Sequence, residues 1–174
     1  GVQTCALPIS MIRISYGKGN IYVAGFYPAV EYSYPIRNND YDMDAMLNPA
    51  LRALVAKPAL DAGVKPVVSS DSPTVEGVLL KDPKKGSYSL ALMNWGYRAG
   101  AQKVRTGREG RKQVVGAVPV LIPRLNLTVR VSGLPNITKA VSVQLNRDVP
   151  VKREGDHVVL TLPELQEGDV ILFQ

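Results

Sequence analysis

The chain has 174 residues, 45% of them apolar, which suffices for one ordinary domain, or a small domain plus a remnant of another. No apolar run approaches the roughly 20 residues that a membrane-spanning helix needs, so a membrane partner is not expected. The net charge is +6, but Arg98, Lys103, Arg105, Arg108, Arg111 and Lys112, against Glu109 alone, carry +5 of it, so the basic character belongs to one Gly-punctuated loop. No aromatic residue lies between Tyr97 and Phe173, and a basic segment without aromatics is a solvated loop rather than a nucleic-acid footprint.

Residues 1–9, Gly-Val-Gln-Thr-Cys-Ala-Leu-Pro-Ile, resemble the in-frame translation of a sequencing adapter and are set apart from the fold. Without Cys5 the chain is cysteine-free, which removes disulfides, thiol nucleophiles and thiolate metal sites. Met11–Tyr16 alternates apolar and polar residues, Gly17-Lys18-Gly19-Asn20 supplies a turn, and Ile21–Phe26 is continuously apolar. This is a β-hairpin whose second strand is apolar enough for burial on both faces. Its sheet partners are expected upstream of the chain, which marks residues 10–35 as the C-terminal remnant of an α/β, Rossmann-like domain.

Tyr27, Tyr32 and Tyr34 lie in a loop, and Asp40, Asp42 and Asp44 precede a helical spacing at Met46, Leu47, Leu51, Leu54 and Val55. Acids suit a helix N-terminus. Pro49 places the first turn near Asn48, and Pro58 and Gly63 stop or interrupt the helix. Residues 36–66 thus read as a linker with a helix. The three aspartates fail the EF-hand pattern, because Ala45 and Leu51 stand where a glycine and a glutamate are needed.

From Val67 onward short strand-like runs alternate with turns: Val67-Val68, Thr74–Lys81, Ser87–Asn94, Leu127–Ser132, Ala140–Asn146, His157–Leu162 and Asp169–Phe173. This texture predicts a small antiparallel sandwich over 67–174. In Ala140–Asn146, Ser142, Gln144 and Asn146 form the expected wet face, and Val141, Val143 and Leu145 the buried one. Gly116–Pro123 reads as an edge strand or a buried crossover. The fold class is mostly β: a β-sandwich preceded by a truncated α/β remnant and a linker helix.

Tyr16-Gly-Lys-Gly-Asn-Ile-Tyr-Val-Ala-Gly-Phe26 resembles the hairpin near the end of the glutamine-amidotransferase-like, or trimerisation, domain of β-galactosidase-like glycoside hydrolases. Tyr88-Ser-Leu-Ala-Leu-Met-Asn-Trp95 is similar to a strand of the C-terminal sandwich that follows it, and Leu162-Pro163 to Phe173 resembles the strand that closes such sandwiches. The segment Arg98 to Arg124 is longer and more basic than the family's usual connection. The resemblance implies that the catalytic carboxylates sit in an upstream barrel of the same protein, so no catalytic residue carries over to this chain. It makes that upstream domain, and a homo-oligomer, the expected partners.

No catalytic, metal or cofactor residue is assigned. His157, the single histidine, stands beside Asp156 without a second ligand, and no Gly-x-Ser-x-Gly elbow is present. Asp71 and Glu76, flanking Pro73, read as strand-edge decoration or as groove residues. Trp95 and Tyr97, with Tyr27, Tyr32 and Tyr34, are the ligand-binding candidates, because aromatic faces stack on sugar rings. For Trp95, at the end of an apolar strand, core packing is the expectation. The tyrosine loop suits a contact with a missing domain or subunit as well as it suits sugar. Three functions follow: a non-catalytic accessory region, a carbohydrate-binding module, or a basic-loop interaction domain.

Overall fold

A computed structural model describes residues 11–27, 30–31, 47–107 and 110–174, with the backbone alone for 113–115. Residues 1–10, Tyr32, Tyr34 and the Asp40, Asp42 and Asp44 cluster lie outside the described residues. The chain is mostly β, with one described helix longer than a turn.

β1 (Met11–Tyr16) and β2 (Gly19–Ala24) form an antiparallel hairpin through a turn at Gly17, whose φ of 57° suits glycine. Burial on both faces of β2 is not what the structure shows. β2 pairs only with β1, and Ile12, Ile14, Tyr16, Ile21 and Val23 are exposed on one face of the ribbon. An apolar run is buried only when a second layer covers it, and among the described residues no layer does so here.

α1 (Pro49–Asp61) is capped by Asn48, whose side chain accepts from the backbone N–H of Ala50 and Leu51 at 3.0 and 3.1 Å. Its first turn carries no acid, and among the described residues the capping side chain is that of Asn48. Pro58 does not stop the helix. It sits in the last turn, its carbonyl still accepts from Ala62 N at 3.2 Å, and the chain leaves through Gly63 at a φ of 79°. A proline there removes one N–H that the remaining turn tolerates. No α1 residue is buried.

The sandwich has two antiparallel sheets. One has the order β10-β9-β13-β5-β4, from Arg147–Val149, Ala140–Ser142, Gly168–Phe173, Tyr88–Asn94 and Val75–Lys81. The other has the order β11-β12-β8-β3, from Val151–Glu154, His157–Leu165, Arg124–Ser132 and Val68–Ser70. Register places Leu79, Leu90 and Ile171 in one inward row of the first sheet, and Val131 opposite Val158 and Val129 opposite Leu160 in the second. Leu90, Leu127, Val129, Leu160, Leu162, Leu165 and Ile171 form the fully buried centre.

The wet and dry faces of residues 140–146 depart from the expectation at Ser142 and Val143, while Gln144 and Asn146 are exposed as expected and Val141 and Leu145 are half-buried. Ser142 is buried, and Val143 is exposed. The strand ends at Ser142, whose Oγ donates to Asp169 Oδ2 and accepts from Leu145 N, while Asp169 Oδ1 accepts from Gln144 N at 2.8 Å. A buried carboxylate with three donors, the Ser142 hydroxyl and the backbone N–H groups of Gln144 and Val170, replaces the apolar contact that alternation predicted. The remaining residues 143–146 form a turn rather than more strand.

The basic segment is a hairpin and not a loop. β6 (Tyr97–Thr106) and β7 (Lys112–Leu121) pair antiparallel as a separate two-stranded sheet, with a bulge between Ala99 and Gln102. Gly116–Pro123 therefore supplies most of an edge strand. Two-stranded pairing satisfies the backbone without a core, so the hairpin forms although most of its side chains stay exposed.

Candidate functional site: the edge groove beside Trp95

β5 alternates, with Leu90, Leu92 and Asn94 pointing inward and Ala91 and Met93 outward. Trp95 continues the outward series. It is 45% exposed, so the core packing expected for it does not occur. The core position belongs to Asn94, which is 1% exposed. Asn94 Nδ2 donates to the carbonyls of Ile122 and Gln166, both at 2.9 Å, and its Oδ1 accepts from Gly96 N at 2.9 Å.

The Trp95 Nε1 donates to Glu76 Oε2 at 3.0 Å, and Trp95 N donates to the carbonyl of Thr74 at 2.8 Å. These two bonds tie the indole to the start of β4. α1 reaches the same place through Arg52, whose Nη1 donates to the carbonyl of Pro73 at 2.8 Å. A cleft of about 440 Å3 lies between them, bordered by Leu47, Arg52, Val55, Pro73, Glu76 and Trp95. A second, of about 530 Å3, shares Arg52, Pro73 and Glu76 and runs along the sandwich edge past Ser70 and Asp71. β3 and β4 are edge strands of their sheets, which is why the groove is open there.

Asp71 and Glu76 have different surroundings. Asp71 is held by the backbone, accepting from Thr128 N at 3.1 Å and donating its own N–H to the Thr128 carbonyl at 3.1 Å. The Glu76 side chain has Trp95 as its one hydrogen-bond partner among the described residues. Arg124, behind the groove, donates from Nη2 to Thr74 Oγ1 at 2.7 Å, with Thr74 itself buried.

Of the other aromatic candidates, Tyr97 starts β6 half-buried opposite Leu121 and borders neither cleft, and Tyr27 is exposed at the end of the first hairpin. The structure therefore does not join Tyr97 to Trp95 in one site. His157 is exposed at the start of β12. No group of three His, Cys, Asp or Glu side chains able to hold a metal occurs among the described residues. No described helix is long and apolar enough to cross a membrane. Arg52 is not a sequence candidate, because one arginine on the exposed side of a short helix carries no signal of the groove.

The outer faces of the two sheets differ. On the four-stranded sheet, register sets Ser69, Arg130 and Lys152 in one row with Val159, and Thr128 opposite Thr161. On the five-stranded sheet one row reads Leu80, Ser89, Leu172, Val141 and ends on Asp148 at the β10 edge, and another reads Val78, Ala91, Val170 with Val143 bonded beside it. Val78 is 58% exposed and Leu80 50%.

No protein-family model matches the chain, and no curated protein matches it in sequence. Among solved structures it is similar to α-L-fucosidase isoenzyme 2 from Paenibacillus thiaminolyticus, at 15% identity and a TM-score of 0.49 over 71% of this chain. The match spans 18% of that enzyme's length.

Proposed function

We propose that the chain is a non-catalytic, C-terminal accessory region of a glycoside-hydrolase-like protein, which packs its sandwich against a neighbouring domain or subunit. The observation that carries the reading is the outer face of the five-stranded sheet. An antiparallel sheet with one free face is normally polar on that face, as the four-stranded sheet is. Two adjacent rows of Val, Leu and Ala side chains, interrupted only by Ser89, instead make a contiguous apolar patch of the kind that marks an interaction surface. The β-galactosidase-like parentage comes from the short motifs around Tyr16–Phe26, Tyr88–Trp95 and the closing strand. Catalysis is assigned to the upstream barrel, and this region stabilises the assembly.

The test compares the wild-type chain with Val78→Lys and Leu172→Lys by sedimentation and by binding of an apolar fluorescent dye. Self-association or dye binding that both substitutions suppress, with melting shifted by no more than about 0.5 kcal/mol, supports a docking face. A monomeric wild-type chain that binds no dye ends it. The parentage is tested separately, by reading the gene upstream of residue 1: a barrel with paired glutamates supports it, and any other upstream sequence removes the glycosidase.

A further inference from the structure

We propose that the edge groove between α1 and the β3–β4 connection binds a neutral, hydroxyl-rich ligand of the oligosaccharide class. Trp95 is its stacking platform, and Arg52 and Glu76 are its hydrogen-bonding pair. The inference is separable from the docking face: Trp95, Glu76 and Arg52 lie outside the two apolar rows, and of those rows Val78 alone borders the groove.

The indole supplies the first element. It is the single tryptophan of the chain, it is 45% exposed, and its only polar atom is satisfied by Glu76. A fixed, half-exposed ring whose N–H needs no water offers a flat apolar surface at small entropic cost. Leu47, Val55 and Pro73 continue that surface along the cleft.

The charged groups choose the ligand. Arg52 is a donor only and ionised Glu76 an acceptor only, and both border both clefts. A cationic ligand would meet the guanidinium, and an anionic one would meet Glu76 and, further along, Asp71. A hydroxyl group satisfies both at once, donating to the carboxylate and accepting from the guanidinium. Among the described residues Glu76 Oε1 has no partner, and Arg52 uses Nη1 on Pro73 and no other of its N–H groups. A pyranose presents an apolar C–H face and a rim of hydroxyls, which matches an indole flanked by this pair.

The dimensions agree. The two clefts, about 440 and 530 Å3, each fall within the range of small-molecule sites. They meet at Arg52, Pro73 and Glu76, so the polar pair stands at the middle of an elongated groove rather than at its end. That arrangement suits a chain of sugar units better than a single one, with Ser70 and Asp71 lining the far half.

Because Trp95 is the sole tryptophan, its fluorescence reports the groove without labelling. The wild-type chain is titrated with the β-1,4-linked tetrasaccharides of glucose, galactose, mannose and xylose. A saturable change with at least one of them, half-complete at or below about 1 mM, is the expected result. Calorimetry with the same sugar should show at least a tenfold loss in Trp95→Ala and in Glu76→Ala. Glu76 is exposed, so its replacement keeps the fold, and melting of each variant checks this. No saturable response to any of the four sugars overturns the proposal. So does binding that persists undiminished in Glu76→Ala and Arg52→Ala. A charge placed at Leu80 on the docking face should leave the sugar titration unchanged, which separates the two sites.

Discussion

The side-chain amide of Asn94 donates to the carbonyl oxygen of Gln166 at 2.9 Å, a bond between residues 72 positions apart. The same Nδ2 reaches the carbonyl of Ile122, and the backbone N–H of Asn94 donates to the carbonyl of Glu167 at 2.8 Å. One buried amide therefore joins the end of β5, the β7–β8 connection and the β12–β13 turn. It also ends the inward row of β5, so that the next side chain, Trp95, is turned out.

Asn94→Ala is expected to destabilise the chain by about 2–4 kcal/mol, because it leaves buried carbonyls without donors. Denaturant unfolding gives the number. A loss below about 1 kcal/mol would show that water replaces the amide.

Leu160 is fully buried opposite Val129, whereas Leu125 is 68% exposed on the neighbouring strand. Truncation to alanine should cost about 2–5 kcal/mol at Leu160 and stay within about 0.5 kcal/mol at Leu125. Equal losses at the two positions would contradict the placement of the core between the sheets.

Gly77 faces inward where the two edge strands approach. A Cβ there would lie 2.5 Å from Val68 Cγ1 and 3.1 Å from Leu92 Cδ2. Gly77→Ala is expected to cost about 1–3 kcal/mol by overpacking, and the double variant Gly77→Ala/Val68→Ala should recover part of it. Absence of recovery would place the strain elsewhere.

The first hairpin is tied to α1 by Tyr22, whose hydroxyl donates to Asp61, and by Lys57 and Arg13 beside the same carboxylate. The Tyr22 bond, then Lys57, holds Asp61 below the usual carboxylate range, and the same bond raises Tyr22. The lowered Asp61 contributes to the contact above the ordinary carboxylate value and loses that contribution as pH falls through its folded value. The raised Tyr22 contributes below the ordinary phenol value and loses it as pH rises through its own. In Asp61→Asn, an NMR titration should show Tyr22 ionising closer to the ordinary phenol value. An unchanged Tyr22 titration would sever the link.

Much of the fold was legible in local pattern. Turn residues at Gly17, Gly86, Gly133 and Gly155 have positive φ, and apolar alternation located β4, β5, β8, β12 and β13 to within a few residues. Pattern failed where a long-range polar bond replaced apolar contact. Ser142 is buried because Asp169, 27 residues away, accepts from it, and no local periodicity carries that information. The basic segment reads as a loop because Arg98 to Lys112 shows charges and glycines without apolar alternation, and the apolar stretch that pairs with it, Gly116 to Leu121, lies beyond it in sequence. Hairpin pairing needs only backbone partners, so hydrophobic pattern is silent about it.

The sequence by itself determined that the chain is mostly β, that a helix begins at Asn48, and which residues are candidates by type. Tertiary structure decided which of these meet. It set Glu76 at the N–H edge of the Trp95 indole, brought Arg52 to the same groove, and left Tyr97 apart from it. It also turned Val78, Leu80 and Leu172 outward on the same sheet that buries Leu90 and Ile171. A strand with apolar residues at both parities is ambiguous about its faces until a second layer covers one of them. Here the four-stranded sheet makes that choice, and the other face remains apolar and exposed.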